Sequence, residues 1–245
     1  YNKYSNKVVR ALIPVHLFGI PARIHEIVNV ARKWNLRVVE DAAEALGSFS
    51  NKEHCGLIGD IGVISFNGNK IITCGGGGIL ITNSKDLAKK AKHLSTTAKT
   101  YSEYELIHDQ IAWNDRLPNI NAALGCSQLE NFSSIMSRKR KLAHLYHKTF
   151  ADQYPFNFIK ENIKDYSNYW LNTIKIDRKR IGESDNFRKK LIQKCKLSKI
   201  FIRPVWKPLH TLNMFKNCPR SDMTNTLDSY ELLINFPSSP SYIRS

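Results

Sequence analysis

Two side chains in this sequence stand where a reaction can be run on them. Asp41 ends the apolar run LRVVED (36–41), and Lys70 sits on the Gly/Asn-rich turn NGNKIITCGG between the strand-like runs IGVISF (61–66) and GGILITN (77–83). A lysine on such a turn has no evident solvation role, and its amine can condense with a carbonyl group or carry a proton. A carboxylate has the complementary use of stabilising a protonated pyridine nitrogen, which turns the ring into an electron sink. An amine and an acid directed at one flat heterocycle are what a pyridoxal cofactor requires. Ser65 precedes the Lys70 turn and, with backbone donors nearby, offers a hydroxyl to a phosphate. Each residue also has a plainer reading: Asp41 as a turn or N-cap aspartate, His16 as a structural histidine near a strand end.

The elements that must position these residues follow from apolar spacing. Residues 8–13 (VVRALI) suit a buried strand, and VHLFG (15–19) turns at Gly19. Pro21 opens a helix whose apolar face is Ile24, Ile27, Val28 and Ala31, and 36–41 is the next strand. Strand, helix, strand is a βαβ unit, which implies a parallel sheet with a right-handed crossover. Ligands of open α/β sheets gather beyond the carboxyl ends of the strands. His16, Asp41, Ser65 and the loop to Lys70 therefore share one rim.

Runs 61–66 and 77–83 are expected to pair as neighbours, followed by a helix from Ser84 as N-cap to Leu94, a polar loop with aromatics over 95–117, a helix over 119–132 and a long basic helix over 134–152. After Tyr154 the apolar pieces shorten: 169–176, a helix around 185–195, and 199–205. The expected fold is α/β: residues 1–152 a partial cofactor-binding large domain with a parallel or mixed sheet, and 153–245 a small C-terminal α+β domain.

A chain of 245 residues that is 42% hydrophobic can bury a substantial core. It has no membrane-spanning run and no signal-peptide pattern, so the expected location is the cytoplasm, with no membrane partner. The five cysteines are scattered without ligand spacing, which argues against a disulfide framework and against a metal site. The net charge of +16 is spread along amphipathic segments and reads as a Lys-rich solvated surface, with no nucleic-acid motif beside it. Gly75 to Gly78 lack the phosphate-loop spacings and read as tight turns with close backbone approach beside Lys70. The polar opening from Tyr1 leads us to expect a missing N-terminal portion.

The segments DAAEALGS (41–48), SFNGNKIITCGGGGILIT (65–82), WNDRLPNINAALGCSQLE (113–130) and RPVWKPLH (203–210) resemble, in order and spacing, the signature segments of the DegT/DnrJ/StrS sugar aminotransferases. GCSQLE, NYWLNT (168–173) and RPVWKPLH most resemble the branch that aminates UDP-linked 4-keto acetamido sugars on the way to bacillosamine or legionaminic acid. The resemblance implies an aspartate-aminotransferase-like (fold-type I) sheet domain, N-terminally incomplete, and pyridoxal 5'-phosphate as cofactor. It implies that Lys70 is the Schiff-base lysine, that Asp41 pairs with the ring nitrogen, and that Glu44 lies near the ring hydroxyl. Ser65 would bind the cofactor phosphate, and Asn114 would bind the phosphate held by the other chain of a homodimer with shared active sites. His16 and His210 would contact the sugar or cofactor. The upstream helix start and ring-stacking residue of the family are not in this sequence.

The expected reaction is amination of a UDP-acetamido-4-keto-6-deoxyhexose, with glutamate as donor, in surface-polysaccharide or glycan biosynthesis. Its rivals are a catalytically impaired remnant that keeps the fold and dimerises or binds sugar nucleotide, a dehydratase of the same family, and a basic nucleic-acid binder. The dehydratases resembled carry histidine where this chain has Lys70, and the nucleic-acid reading has only the net charge behind it.

Overall fold

The computed structural model describes residues 1–101, 104–151, 153, 155–181 and 186–243. Residue 152, where the long helix is expected to end, residue 154, where the pattern is expected to change, and residue 185, where the next helix is expected to begin, lie outside the described residues. In chain order the first elements are β1 (Ala11–Leu12), α1 (Ile24–Lys33), β2 (Arg37–Asp41), β3 (Phe49–Ser50), β4 (Glu53–His54), β5 (Ile61–Ser65), β6 (Gly78–Ile81), α2 (Lys85–Ser95), β7 (Lys99–Tyr101), β8 (Leu106–His108), α3 (Asn119–Glu130) and α4 (Phe132–Phe150). They continue with β9 (Phe156–Phe158), β10 (Asp165–Tyr166), β11 (Asn172–Ile176), α5 (Arg178–Ile181), α6 (Phe187–Leu197), β12 (Arg203–Pro204), α7 (Thr224–Leu232) and β13 (Leu233–Phe236). The chain forms two compact units, one of Arg10–Met136 with Asn162–Asn168, the other of Tyr1–Val9, Ser137–Glu161 and Tyr169–Ser245.

The first unit holds a four-stranded sheet of order β1-β2-β5-β6. β1, β2 and β5 run parallel, and β6 returns antiparallel to β5, pairing Ser65 with Gly78 and Gly62 with Ile81. The crossover between β1 and β2 is α1, the expected βαβ unit. Its buried face is Ile24, Val28 and Ala31, packed with Val38 and Ile58. Full burial of each large aliphatic side chain contributes about 1.5–3 kcal/mol. The helix stops because Asn35 takes a left-handed conformation (φ 53°). Its N–H then bonds the Arg32 carbonyl at 3.2 Å while the Leu36 N–H bonds that of Ala31 at 2.8 Å, a Schellman ending. Ser84 caps α2 as expected, its hydroxyl accepting from the Leu87 N–H at 3.3 Å.

Strand parity separates the two faces of this sheet. Val38, Glu40 and Ile64 point into the packed side, at 2%, 0% and 2% exposure. Asp41 and Ser65 alternate with Glu40 and Ile64 and so share the other side with Val39 and Val63, where Val63 and Leu80 remain 40% and 45% exposed.

Three expectations differ from the structure. The strand expected over 8–13 is only Ala11–Leu12, with Val8 and Val9 exposed. The expected loop over 95–117 contains the β7–β8 hairpin. The segment 199–205 contributes only the two residues of β12.

The second unit is built on an antiparallel sheet of order β12-β13-β11-β9. Ile174, Ile176 and Ile234 are each 1% exposed at its centre, and Ala143 of α4 and Leu191 and Ile192 of α6 pack there. Lys139 of α4 is 3% exposed, and its amine donates to the carbonyls of Trp170 at 2.8 Å and Ser238 at 2.6 Å. Burial pushes this lysine down to about 7 from 10.5. A neutral amine has two N–H groups, and two carbonyls accept them.

The pH consequence follows in sign. Between pH 7 and 10.5 the unfolded chain holds a proton that the folded one releases, so stability rises with pH across that window. Lys139→Met is expected to remove that rise. In urea unfolding at pH 6.5 and 9.5, wild type should gain on the variant by roughly 2–3 kcal/mol. A difference that does not change with pH would show that the amine stays charged.

Candidate active site

The loop joining β5 to β6 places Lys70. Its base is closed by hydrogen bonds between the Phe66 N–H and the Gly77 carbonyl (2.9 Å) and between the Cys74 N–H and the Phe66 carbonyl (3.0 Å). Within it the Lys70 N–H bonds the Asn67 carbonyl at 3.0 Å, while Ile72 and Cys74, 1% and 2% exposed, anchor the far limb in the core. Glycine is required where this limb returns. Gly77 has φ +82° and lies where a Cβ would fall 2.7 Å from the Leu117 side chain, and a Cβ on Gly78 would fall 2.5 Å from the Ile64 carbonyl oxygen.

The Lys70 side chain is 13% exposed, and its amine lies 3.8 Å from the Glu44 carboxylate, itself 13% exposed. Burial holds the amine below the ordinary lysine range, and the negative charges of Glu44 and Asp41 oppose that fall without cancelling it. Lys70, Glu44 and Asp41 are thus brought into one electrostatic neighbourhood. Asp41 is set by its strand-end position, where Oδ1 accepts the Ala43 N–H at 3.2 Å. Glu44 is set by the Phe18 N–H, which donates to its Oε2 at 2.7 Å from a left-handed residue, φ 61°. The Ser65 hydroxyl accepts the Asn67 N–H at 3.2 Å, at the start of the Lys70 loop.

The other expected site residues are placed differently. Asn114 is exposed, bridged through its backbone to Thr96, and its side chain has no hydrogen-bond partner among the described residues. His210 belongs to the other unit, on the short 3-10 turn Leu209–Thr211, and its Nδ1 is buried without a partner among the described residues.

His16 is a correction. It is 0% exposed, with Nδ1 accepting the Ala22 N–H at 3.0 Å and Nε2 against Glu40 Oε2 at 2.9 Å. Because Nδ1 accepts, the proton sits on Nε2 and is donated to the carboxylate. Both nitrogens are used inside the unit, so a sugar finds neither.

Glu40, missed from the sequence, is the centre of that arrangement. Its carboxylate accepts from His16, from Gly56 at 2.8 Å, from Ile58 at 2.8 Å and from Gly59 at 2.5 Å. Burial pushes this carboxyl up, but the bonds from His16, Gly59 and Gly56 outweigh it and hold it below the ordinary value of 4.5. The available signal was parity: Glu40 precedes Asp41 and must face the packed side.

Known proteins resemble this chain along nearly all of its length. The model of the DegT/DnrJ/EryC1/StrS aminotransferase family matches residues 3–244. The GDP-perosamine synthase of Escherichia coli O157:H7 is 37% identical over 213 residues, 87% of this chain and 56% of that protein. The chain therefore spans little more than half the length of that relative. Among solved structures, PseC of Helicobacter pylori, an aminotransferase involved in the biosynthesis of pseudoaminic acid, superposes with a TM-score of 0.87 at 24% identity, over 94% of this chain and 62% of its own. DesI, solved in the presence of its TDP-sugar product, gives 0.84 at 23% identity over 96% and 59%. These superpositions bear out the expected fold-type I α/β architecture.

Proposed function

The chain belongs to the DegT/DnrJ/EryC1/StrS aminotransferase family, and from that premise we propose that it serves pyridoxal-phosphate-dependent transfer of an amino group to a nucleotide-linked 4-keto sugar. Structural relatives in PLP and PMP forms support the cofactor assignment. One observation carries the reading: a desolvated amine at the carboxyl rim of the sheet, 3.8 Å from one carboxylate and under the charge of a second. An amine kept below the ordinary lysine range is the more readily deprotonated, as a nucleophile toward an aldehyde must be.

The residues present fit the group. Lys70 would hold its aldehyde carbon covalently, Asp41 the ring nitrogen, Glu44 the neighbourhood of the ring hydroxyl and Ser65 the phosphate. When bound, the cofactor supplies an electron sink for the carbon that loses a proton. Once freed from that covalent role, the Lys70 amine would be the group placed to take and return the proton of the substrate carbon bearing nitrogen. Asp41 would favour the protonated ring nitrogen through its charge. Asn114 would contact the phosphate held by a second chain, which makes the assembly a homodimer, and His210 would contact sugar. We read the substrate as a UDP-acetamido-4-keto-6-deoxyhexose, the donor as glutamate, the location as the cytoplasm and the product as a building block of surface glycan.

The test is spectroscopic and then chemical. Protein mixed with pyridoxal phosphate should gain a near-visible band that borohydride erases, leaving the pyridoxyl mass on the Lys70 peptide. Loaded protein should then transfer nitrogen from glutamate to a UDP-linked 4-keto sugar in preference to its GDP-linked counterpart. A preparation that stays colourless and unlabelled favours the impaired remnant. Preference for the GDP sugar, the nucleotide in the name of the E. coli relative, overturns the choice of UDP alone.

A further inference from the structure

The segment DAAEALGS folds as consecutive turns, with the Ala45 N–H on the Ala42 carbonyl and the Ser48 N–H on the Ala45 carbonyl, both at 2.9 Å. No helix ladder follows to take up the carbonyls of Glu44 and Leu46. Both are met by one side chain: Asn168 Nδ2 donates to Glu44 at 2.8 Å and to Leu46 at 2.9 Å. Asn168 lies in the same compact unit and is 0% exposed.

Its backbone closes a ring. The Asn168 N–H donates to the Ser48 hydroxyl at 3.0 Å, and that hydroxyl donates to the Gly19 carbonyl at 2.7 Å. Ser167 donates to the same carbonyl at 2.9 Å. The residue before Gly19 is Phe18, whose N–H holds the Glu44 carboxylate. Glu44 is thus gripped twice by one buried circuit, at its own carbonyl and, through residues 18 and 19, at its carboxylate. Buried polar circuits that are satisfied all round define one geometry, because every broken member leaves a desolvated group behind.

We propose that Asn168 is a positioning residue for the Glu44 carboxylate that faces Lys70, acting through the turn of residues 44–46. The proposal rests on the functional reading only for its interest in Lys70; its test is made on the protein without cofactor.

The reporter is the titration of the Lys70 amine, followed by NMR after reductive methylation of lysines with labelled formaldehyde, the resonance being identified by its loss in Lys70→Arg. Glu44 and Asp41 are charged groups among the described residues that act on this amine, and Asp41 is left in place throughout. Glu44→Gln removes an opposite charge and is expected to lower the Lys70 midpoint by roughly one unit. Asn168→Ala is expected to lower it in the same direction by part of that amount. The double variant should titrate like Glu44→Gln alone, since Asn168 then has no charge left to place.

A Lys70 midpoint unchanged in Asn168→Ala, with only the melting temperature reduced, would make Asn168 a purely structural residue. Additive shifts in the double variant would show that it acts by another route. If Asn168→Ala does not fold, Ser48→Ala opens the same ring at another bond, and the same comparison with Glu44→Gln decides the matter. Failure of the protein to take up pyridoxal phosphate would leave these titrations untouched.

Discussion

Lys70→Ala is expected to lower amino transfer by a factor of about 10²–10⁴ from loss of the proton shuttle alone, and further through loss of the covalent hold. The borohydride-stable label should vanish with it. The fold should survive, because the amine is a desolvated cation whose charged form the structure disfavours. Melting temperature measured beside the rate separates the two effects. Lys70→Arg should be equally inactive, since a guanidinium stays protonated and cannot act as the nucleophile. Added small primary amines should restore part of the rate in Lys70→Ala by carrying the proton. Undiminished transfer by Lys70→Ala would remove the residue from the mechanism.

Glu40→Gln is expected to cost about 2–6 kcal/mol of stability, roughly 1–3 for each of two buried donors left without an acceptor, read from urea unfolding at neutral pH. One carboxylate oxygen becomes an NH₂ that must oppose donors: either Gly56 and His16, or Ile58 and Gly59. Against a total stability of roughly 5–15 kcal/mol this is a large share. The pH dependence has a definite sign. A carboxyl held below 4.5 in the folded state lends stability that is present above that value and is lost as pH falls through the folded pKa. The variant should lack that part of the acid limb. A Glu40→Gln protein as stable as wild type at neutral pH would mean that the two opposed donors find other acceptors.

Much of the positioning machinery could be read from the chain because it is local. Ser84 announces α2, and the spacing of Ile24, Val28 and Ala31 announces α1. The pairing of 61–66 with 77–83 follows from two apolar runs around one glycine-rich turn. β13 was not foreseen because Leu232 and Leu233 pass from helix to strand without a glycine or proline to mark the change. Val8 and Val9 read as strand, yet the sheet offers them no partner, and propensity without a neighbour makes no ladder.

The site divides along the same line. The placement of Asp41 and Lys70 was legible because strand ends and turns between strands are local features. His16 was misjudged because its partner, Glu40, is 24 residues away and only parity on β2 brings the two together. The grip on Glu44 was out of reach, since Asn168 is 124 residues distant and an asparagine carries no mark of which carbonyls it will meet.

The loop between β5 and β6 is fastened at both limbs, at Phe66 and at Ile72 with Cys74. Its lysine is therefore an arm on a braced shoulder: the freedom left to it lies in four side-chain torsions, while hydrogen bonds and burial hold the two limbs of the main chain. On the proposed reading, moving the freed amine aside would need rotamer changes of that one side chain, and the ordering penalty would be confined to one flexible stem, about 1.5–2 kcal/mol. The proposed reaction would then not wait on a rearrangement of the loop's main chain.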